Sequence, residues 1–183
     1  DGIVGWGECY GPSAVAKAFI DTQLAPRVIG RDPFDVEVIW EDLYNRIKDY
    51  GPKGMSIAAI SGIDIALWDI VGKACNKPVH KLIGGAFRTE VDAYATGLYF
   101  TDMDRLIDEA VEEASGYVKE GFRAIKMKIG GDAKRDVELV KAVREAAGAD
   151  IAIVVDANQA YDIKSAIHVI RQIEKYDVQR VEQ

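Results

Sequence analysis

The sequence predicts an α/β chain: part of a (β/α) TIM-type barrel, preceded by a mainly helical region. Three observations predict it. Short apolar runs open near Val91, Ala124, Ile151 and Gln179, roughly 30 residues apart, about the size of one βα unit in an eightfold barrel. Amphipathic helical patterns fill the gaps, the alternation that builds a parallel sheet. A doubly wound sheet usually carries a glycine-rich phosphate loop after its first strand, but here Thr96-Gly97-Leu98-Tyr99-Phe100 follows instead. Gly130-Gly131 after the second strand is a lone pair, too little for a dinucleotide site.

Taken in order, residues 2–9 alternate loosely and read as the last strand of a hairpin, with Asp1-Gly2 as its turn pair. Ala14 to Ile29 reads as a helix broken near Pro26. Val36, Ile39, Trp40, Leu43 and Ile47 stand at helical spacing and predict a helix over 35–47. Tyr50-Gly51-Pro52-Lys53-Gly54 is a loop. Ser56 to Ala74 predicts a long helix too apolar for a surface position, whose Asp64 and Asp69 need partners if buried. Gly84-Gly85 closes this region, and the barrel portion opens at 91.

The strand Val91–Ala95 leads to a helix at about 102–119. Leu106, Ile107, Ala110, Val111, Ala114 and Val118 share one face of it, and Thr101 and Asp104 form a capping-box-like start. Ala124–Ile129 leads to a helix at about 133–147. Ile151–Asp156 leads to a helix at about 162–175 carrying Ile163, Ala166, Ile167, Ile170 and Ile173, and a fourth strand opens at Gln179. Fewer than four full units leave two sheet edges and an unclosed core. The chain therefore reads as a fragment of a longer one, or as a half that another chain completes.

Composition sets the outer bounds. With 183 residues, 49% of them hydrophobic, a packed core is expected in one ordinary domain or two small ones. The net charge of −7 argues against nucleic acid and against an anionic membrane surface, but not against a small anionic substrate. Cys9 and Cys75 form no CxxC pattern. No secretory leader and no long apolar span are read, so a soluble, cytoplasmic setting is expected.

Strand parity carries the chemistry. On 124–129, Ile125, Met127 and Ile129 share one face, and Lys126 and Lys128 share the other. An inward ammonium is costly unless paired, so two of them call for anions opposite. The next strand sets Val154, Asp156 and Asn158 on its inner face, at the C-terminal end where barrel enzymes place reactive groups. Glu182 follows one repeat later at the matching place. Each signal alone has a bland reading: lysines reaching solvent by their stems, turn chemistry at Asp156-Ala157-Asn158, a polar strand end at Glu182. Three successive units with charge at the same inward position fit a site better. Mg²⁺ suits carboxylate oxygens, so Asp156 and Glu182 are candidate ligands, with a third expected after Gln183. The implied chemistry is Mg²⁺-dependent abstraction of the proton α to a substrate carboxylate, through a metal-stabilised enediolate, by one of the two lysines. His80 and His168 are read as surface or packing residues.

Lys126-Met127-Lys128-Ile129-Gly130, Asp156-Ala157-Asn158-Gln159 and Val181-Glu182-Gln183 resemble the successive barrel motifs of the enolase superfamily, in its mandelate racemase and muconate lactonizing branch. Gly5-Trp6-Gly7-Glu8 and Ser61-Gly62-Ile63-Asp64-Ile65-Ala66-Leu67-Trp68-Asp69 resemble its cap-domain and linking-helix sequences. The resemblance implies a capping α+β domain over 1–90 and the first half of a barrel over 91–183. It implies Lys128 as the base, Lys126 on the substrate carboxylate, Asn158 as hydrogen-bonding support, and Asp156 and Glu182 as two of three metal ligands. Loops near Tyr10-Gly11-Pro12 and Tyr50-Gly51-Pro52-Lys53 would close over the substrate. A homo-oligomer is expected.

The implied outcome is racemization or epimerization, dehydration, or cycloisomerization of a sugar acid, lactone or related carboxylate. The acid or base that decides among them is expected after Gln183. Glu182-Gln183 resembles the muconate lactonizing side, whereas residues 95–100 resemble the sugar-acid and lactone enzymes. The alternatives are a non-catalytic βα module that holds an anion, and an inactive fragment of such an enzyme.

Overall fold

The computed structural model describes residues 2–100 and 102–182. Two compact units divide the chain, Asp1–Thr89 and Glu90–Gln183.

The first unit is built on helices α1 (Ser13–Phe19), α2 (Ala25–Val28), α3 (Val36–Ile47), α4 (Met55–Cys75) and α5 (Val79–Leu82). The break expected at Pro26 is instead a π-helical stretch, Ile20–Leu24, and the proline sits in the first turn of α2, where a missing N–H costs nothing. The helix expected over 35–47 forms, but Trp40 leaves the core side and stacks on Tyr44 at 5.1 Å. Leu24, Ile39, Leu43, Ile47, Ala59 and Ile60 pack into one core. The helix α4 corrects the reading that no long apolar span exists. By length and composition alone it could cross a membrane. Here it lays Ala59, Ile60, Leu67 and Val71 into this core, and such a helix is equally the central helix of a packed domain.

Residues 2–9 are not a strand among the described residues; the pair Asp1-Gly2 lies partly outside them. The segment is strapped to α4 instead. A Cβ on Gly5 would lie 2.1 Å from the Ala66 carbonyl oxygen, and one on Gly7 1.9 Å from that of Gly62. The Trp6 amide donates to Asp69 at 2.8 Å, and Lys73 bonds both Asp69 and the Val4 carbonyl. The alternation that reads as a strand is thus glycine spacing for close backbone approach.

The second unit is a four-stranded parallel sheet with strands adjacent in chain order: β1 (Ala95–Thr96), β2 (Ala124–Lys128), β3 (Ala152–Asp156) and β4 (Val178–Glu182). Helices α6 (Leu106–Lys119), α7 (Ala133–Ala147) and α8 (Ile163–Ile173) connect them, with α7 packed between its neighbours. Ile125, Met127, Ile153 and Val155 bury one face of the sheet against Leu139, Val140, Val143, Val169 and Ile173. Two expectations need correcting. The first strand is shorter and later than Val91–Ala95, and Val91 is exposed. The helix expected at 102 starts at Leu106 without a side-chain cap; Thr101 lies outside the described residues. In α8 the buried face is Ala166, Val169 and Ile173, while Ile163, Ile167 and Ile170 are exposed.

Candidate active site

Parity does for the site what it does for the core. With Ile125 and Met127 turned under the helices, Lys126 and Lys128 stand on the opposite face of β2. The register then places Lys128 beside Asp156, and Asp156 beside Glu182. Three strands thus bring their charges to one place, at the C-terminal end of the parallel sheet. Each element's hydrophobic pattern fixes this, because a one-residue slip would turn the lysines into the core.

The four charges form a chain of ion pairs. Lys128 Nζ lies 2.8 Å from Asp156 Oδ2, and Lys126 Nζ lies 3.1 Å from the same oxygen. Lys126 also pairs with Glu182 Oε2. The side chains are 9% exposed for Asp156, 14% for Lys126, 17% for Lys128 and 24% for Glu182, so the network is half-sheltered yet open to a small molecule. Asn158, in the left-handed region at φ +45°, turns its side chain back to accept from Lys128 Nζ at 2.5 Å. Its amide donates to Asp156 Oδ1 at 3.0 Å. All five residues singled out from the sequence therefore meet. Both histidines are exposed, and His168 contacts Gln172 on its own helix.

The electrostatics follow from these contacts. The bond from Lys128, then the Asn158 amide, holds the Asp156 carboxyl well below the usual carboxylate range. Bonds to Glu182 and then Asp156 push Lys126 up to about 12, so it is a fixed cation at neutral pH.

Whether a metal fits can be judged from Lys126 itself. Its ammonium touches one oxygen from Asp156 and one from Glu182, so two carboxylates on neighbouring strands converge on a single cation position. Both are hard oxygen donors, the kind that Mg²⁺ favours. The donors present fit such an ion as part of its shell. Among the described residues no group of three or more His, Cys, Asp or Glu converges to hold a metal ion, at this site or at any other.

Three contributors were not singled out from the sequence. Arg180 pairs with Glu182 Oε1 at 3.3 Å, and its parity with Glu182 on β4 was the available signal. Tyr99 sets its ring under Lys128, with Nζ 5.8 Å from the centroid. Glu113 of α6 accepts from the amide of Leu98, a buried residue held at φ +53°, and from the Tyr117 hydroxyl. Nothing in a helical heptad marks Glu113 for that task.

Comparison with known proteins places these features in company. Residues 1–84 match the family model described as mandelate racemase / muconate lactonizing enzyme, N-terminal domain. Residues 109–183 match the one described as enolase C-terminal domain-like. The D-galactarolactone cycloisomerase of Agrobacterium fabrum is 46% identical over 91% of this chain and 44% of its own length. The crystal structure of the 3,6-anhydro-D-galactonate cycloisomerase from Zobellia galactanivorans superposes with a TM-score of 0.90 at 44% identity, over 97% of this chain and 48% of that one. A racemase from Streptomyces coelicolor A3(2), solved with bound magnesium, superposes at 0.84 and 34% identity over 94% of this chain and 47% of its own. The chain thus spans about half the length of the relatives it matches.

Proposed function

The chain belongs to the mandelate racemase / muconate lactonizing enzyme family of the enolase superfamily, and from that premise we propose that it takes the proton from the carbon α to a carboxylate in a sugar-acid lactone or anhydro-sugar acid, beginning a cycloisomerization. The observation that carries this reading is the shared cation position. Lys126 and Lys128 meet Asp156 and Glu182 at one end of a parallel sheet, with Lys126 held between the two carboxylates. Two of the relatives above, at 46% and 44% identity, are cycloisomerases of galactose-derived acids, which favours that outcome over racemization or dehydration. On this reading the sheet β1–β4 is the first half of a (β/α) barrel, and residues 1–90 belong to a capping domain.

The geometry supports the following roles. Lys128 lies nearer the strand end beside Tyr99, and its Nζ, once it has given up its own third proton to solvent, receives the α-proton. Asn158 and Asp156 hold that ammonium in place once it is charged. Lys126, a permanent cation one strand pitch deeper, binds the substrate carboxylate and offsets the charge that grows there as the proton leaves. Asp156 and Glu182 would hold Mg²⁺, which when bound supplies further positive charge to that carboxylate. Arg180 anchors the far oxygen of Glu182.

The test is exchange of the α-proton of galactarolactone with solvent deuterium, followed by NMR with Mg²⁺ present. Lys128→Met should slow exchange by about 10²- to 10⁴-fold, the usual contribution of a positioned base. Exchange at the parental rate in a protein carrying both Lys126→Met and Lys128→Met would refute the lysine base. Substrate binding without any exchange in the parent would favour a module that only holds an anion.

A further inference from the structure

The buried carboxylate of Asp136 lies in the first turn of α7, outside the charge network. It is 1% exposed. Its Oδ2 accepts from the Gly130 amide at 3.0 Å and from the Tyr161 hydroxyl. Both donors are neutral groups, and they meet the carboxyl where it is shut away from water at the N-terminal end of α7. Burial, then the Asp136 carboxylate, raises the Tyr161 hydroxyl pKa, so the phenol keeps the proton it donates.

The two donors are what matter. Gly130 is two residues past Lys128, in the loop after β2. Tyr161 is three residues past Asn158, in the loop after β3. One carboxylate therefore ties together the two loops that continue from the strand ends holding the base and its partners. The join is tight. At Gly130, φ is +111° and a Cβ would fall 2.7 Å from the Ala160 Cβ and 2.8 Å from the Ala157 carbonyl oxygen. Beside it the Ile129 amide donates to the Asp156 carbonyl at 3.1 Å. One unit earlier a carboxylate takes a single loop amide: Glu113 accepts from the Leu98 amide after β1, and its other donor, Tyr117, lies on its own helix, so no second loop is tied there.

We propose that Asp136 and Tyr161 form a latch that positions the end of β2 against the end of β3, and so sets Lys128 against Asp156 and Asn158 for proton transfer. The pair touches no substrate; both are positioning residues. The inference rests on the proposed function for its kinetic consequence but not for its structural one. Misplacing a reacting group by about 1 Å costs on the order of 10²-fold in rate. Lys126, two residues deeper in the strand and tied to Glu182, should keep its hold on the carboxylate, so the loss belongs in kcat and not in KM.

Tyr161→Phe removes one hydroxyl and no volume. Expected are a folded protein, amide hydrogen exchange at Ile129, Gly130 and Asn158 at least tenfold faster, and kcat for α-proton exchange at least tenfold lower with KM within twofold. Asp136→Ala, which removes the oxygen that accepts both bonds, should show the same signature more strongly. Parental amide exchange in folded Tyr161→Phe would overturn the latch. So would faster amide exchange with parental kcat, or a fall in kcat matched by an equal rise in KM. If both variants fail to fold, the pair merely holds the domain together and the proposal is wrong. Should Lys128→Met leave the parental reaction untouched, the proposed function falls while the amide readout still decides the latch alone.

Discussion

Asp156 is the residue through which the charges of the site are linked, since both lysines bond its Oδ2 and the Asn158 amide bonds its Oδ1. Its carboxyl is depressed from 3.8 by those contacts, the Lys128 bond first. The unfolded chain therefore takes up the proton before the folded one does as pH falls. The stabilisation is present above about pH 4 and is lost as pH drops through the folded value. Lys126 behaves in the opposite sense: its contribution is intact below 10.5 and is lost as pH rises through about 12. Asp156→Asn should cost about 3 kcal/mol at neutral pH, the low end for breaking a sheltered pair, because each lysine retains another partner. It should also flatten the decline in stability below pH 4. Urea unfolding at pH 7 and pH 3 checks both, and an acid limb as steep as the parent's would show that other carboxyls govern it.

At the scale of elements, α7 shows how a helix can hold a sheet by its end as well as by its face. Arg144 spends its guanidinium on four backbone carbonyls: Gly148 and Ile151 before β3, and Tyr176 and Asp177 before β4. Arg144→Met should destabilise the second unit by about 2–4 kcal/mol, because hydrogen bonds to a charged group contribute about 1.5–3 kcal/mol and the part-buried carbonyls of Ile151 and Tyr176 would lose their donor. Arg144→Lys should recover only part of this, since an ammonium cannot reproduce the planar fork; urea midpoints of the three proteins measure it.

What was readable beforehand divides along the same line. The strand at 124–128 and the helix at 133–147 stand where periodicity put them, because each has one strongly apolar face and clear ends at glycines. The inward face of α8 is not legible in the sequence because isoleucines surround it; the packing of Ala166, Val169 and Ile173 tells which side is inward. Residues 2–9 were misread because period-two glycine spacing mimics a strand. In the site, parity alone found Lys126, Lys128 and Asp156. It could not find Asp136, which in sequence is an ordinary acidic residue in a helix's first turn and acquires its role from loops up to 25 residues away.

Across the described residues the buried carboxylates, Asp136 and Asp156, belong to the second unit, and that is where a bound cation should register. The Lys126 ammonium meets the same oxygens of Asp156 and Glu182 that the proposed metal would use. On the proposed reading, metal and lysine would compete for one electrostatic position. Two consequences follow by linkage. Mg²⁺ at about 100 times its dissociation constant should stabilise the folded chain by about 2.7 kcal/mol, with the gain reversed by EDTA. Added amide protection should concentrate at the ends of β2, β3 and β4, leaving the first unit unchanged. Lys126→Met removes the competing cation, so it should tighten Mg²⁺ binding while weakening binding of the substrate carboxylate, two effects that calorimetry separates. Glu182→Gln should abolish most of the stabilisation by Mg²⁺. If the melting temperature still rises with Mg²⁺ in that variant as it does in the parent, the ion binds elsewhere, and the convergence of the two carboxylates on Lys126 serves the fold and the substrate without a metal.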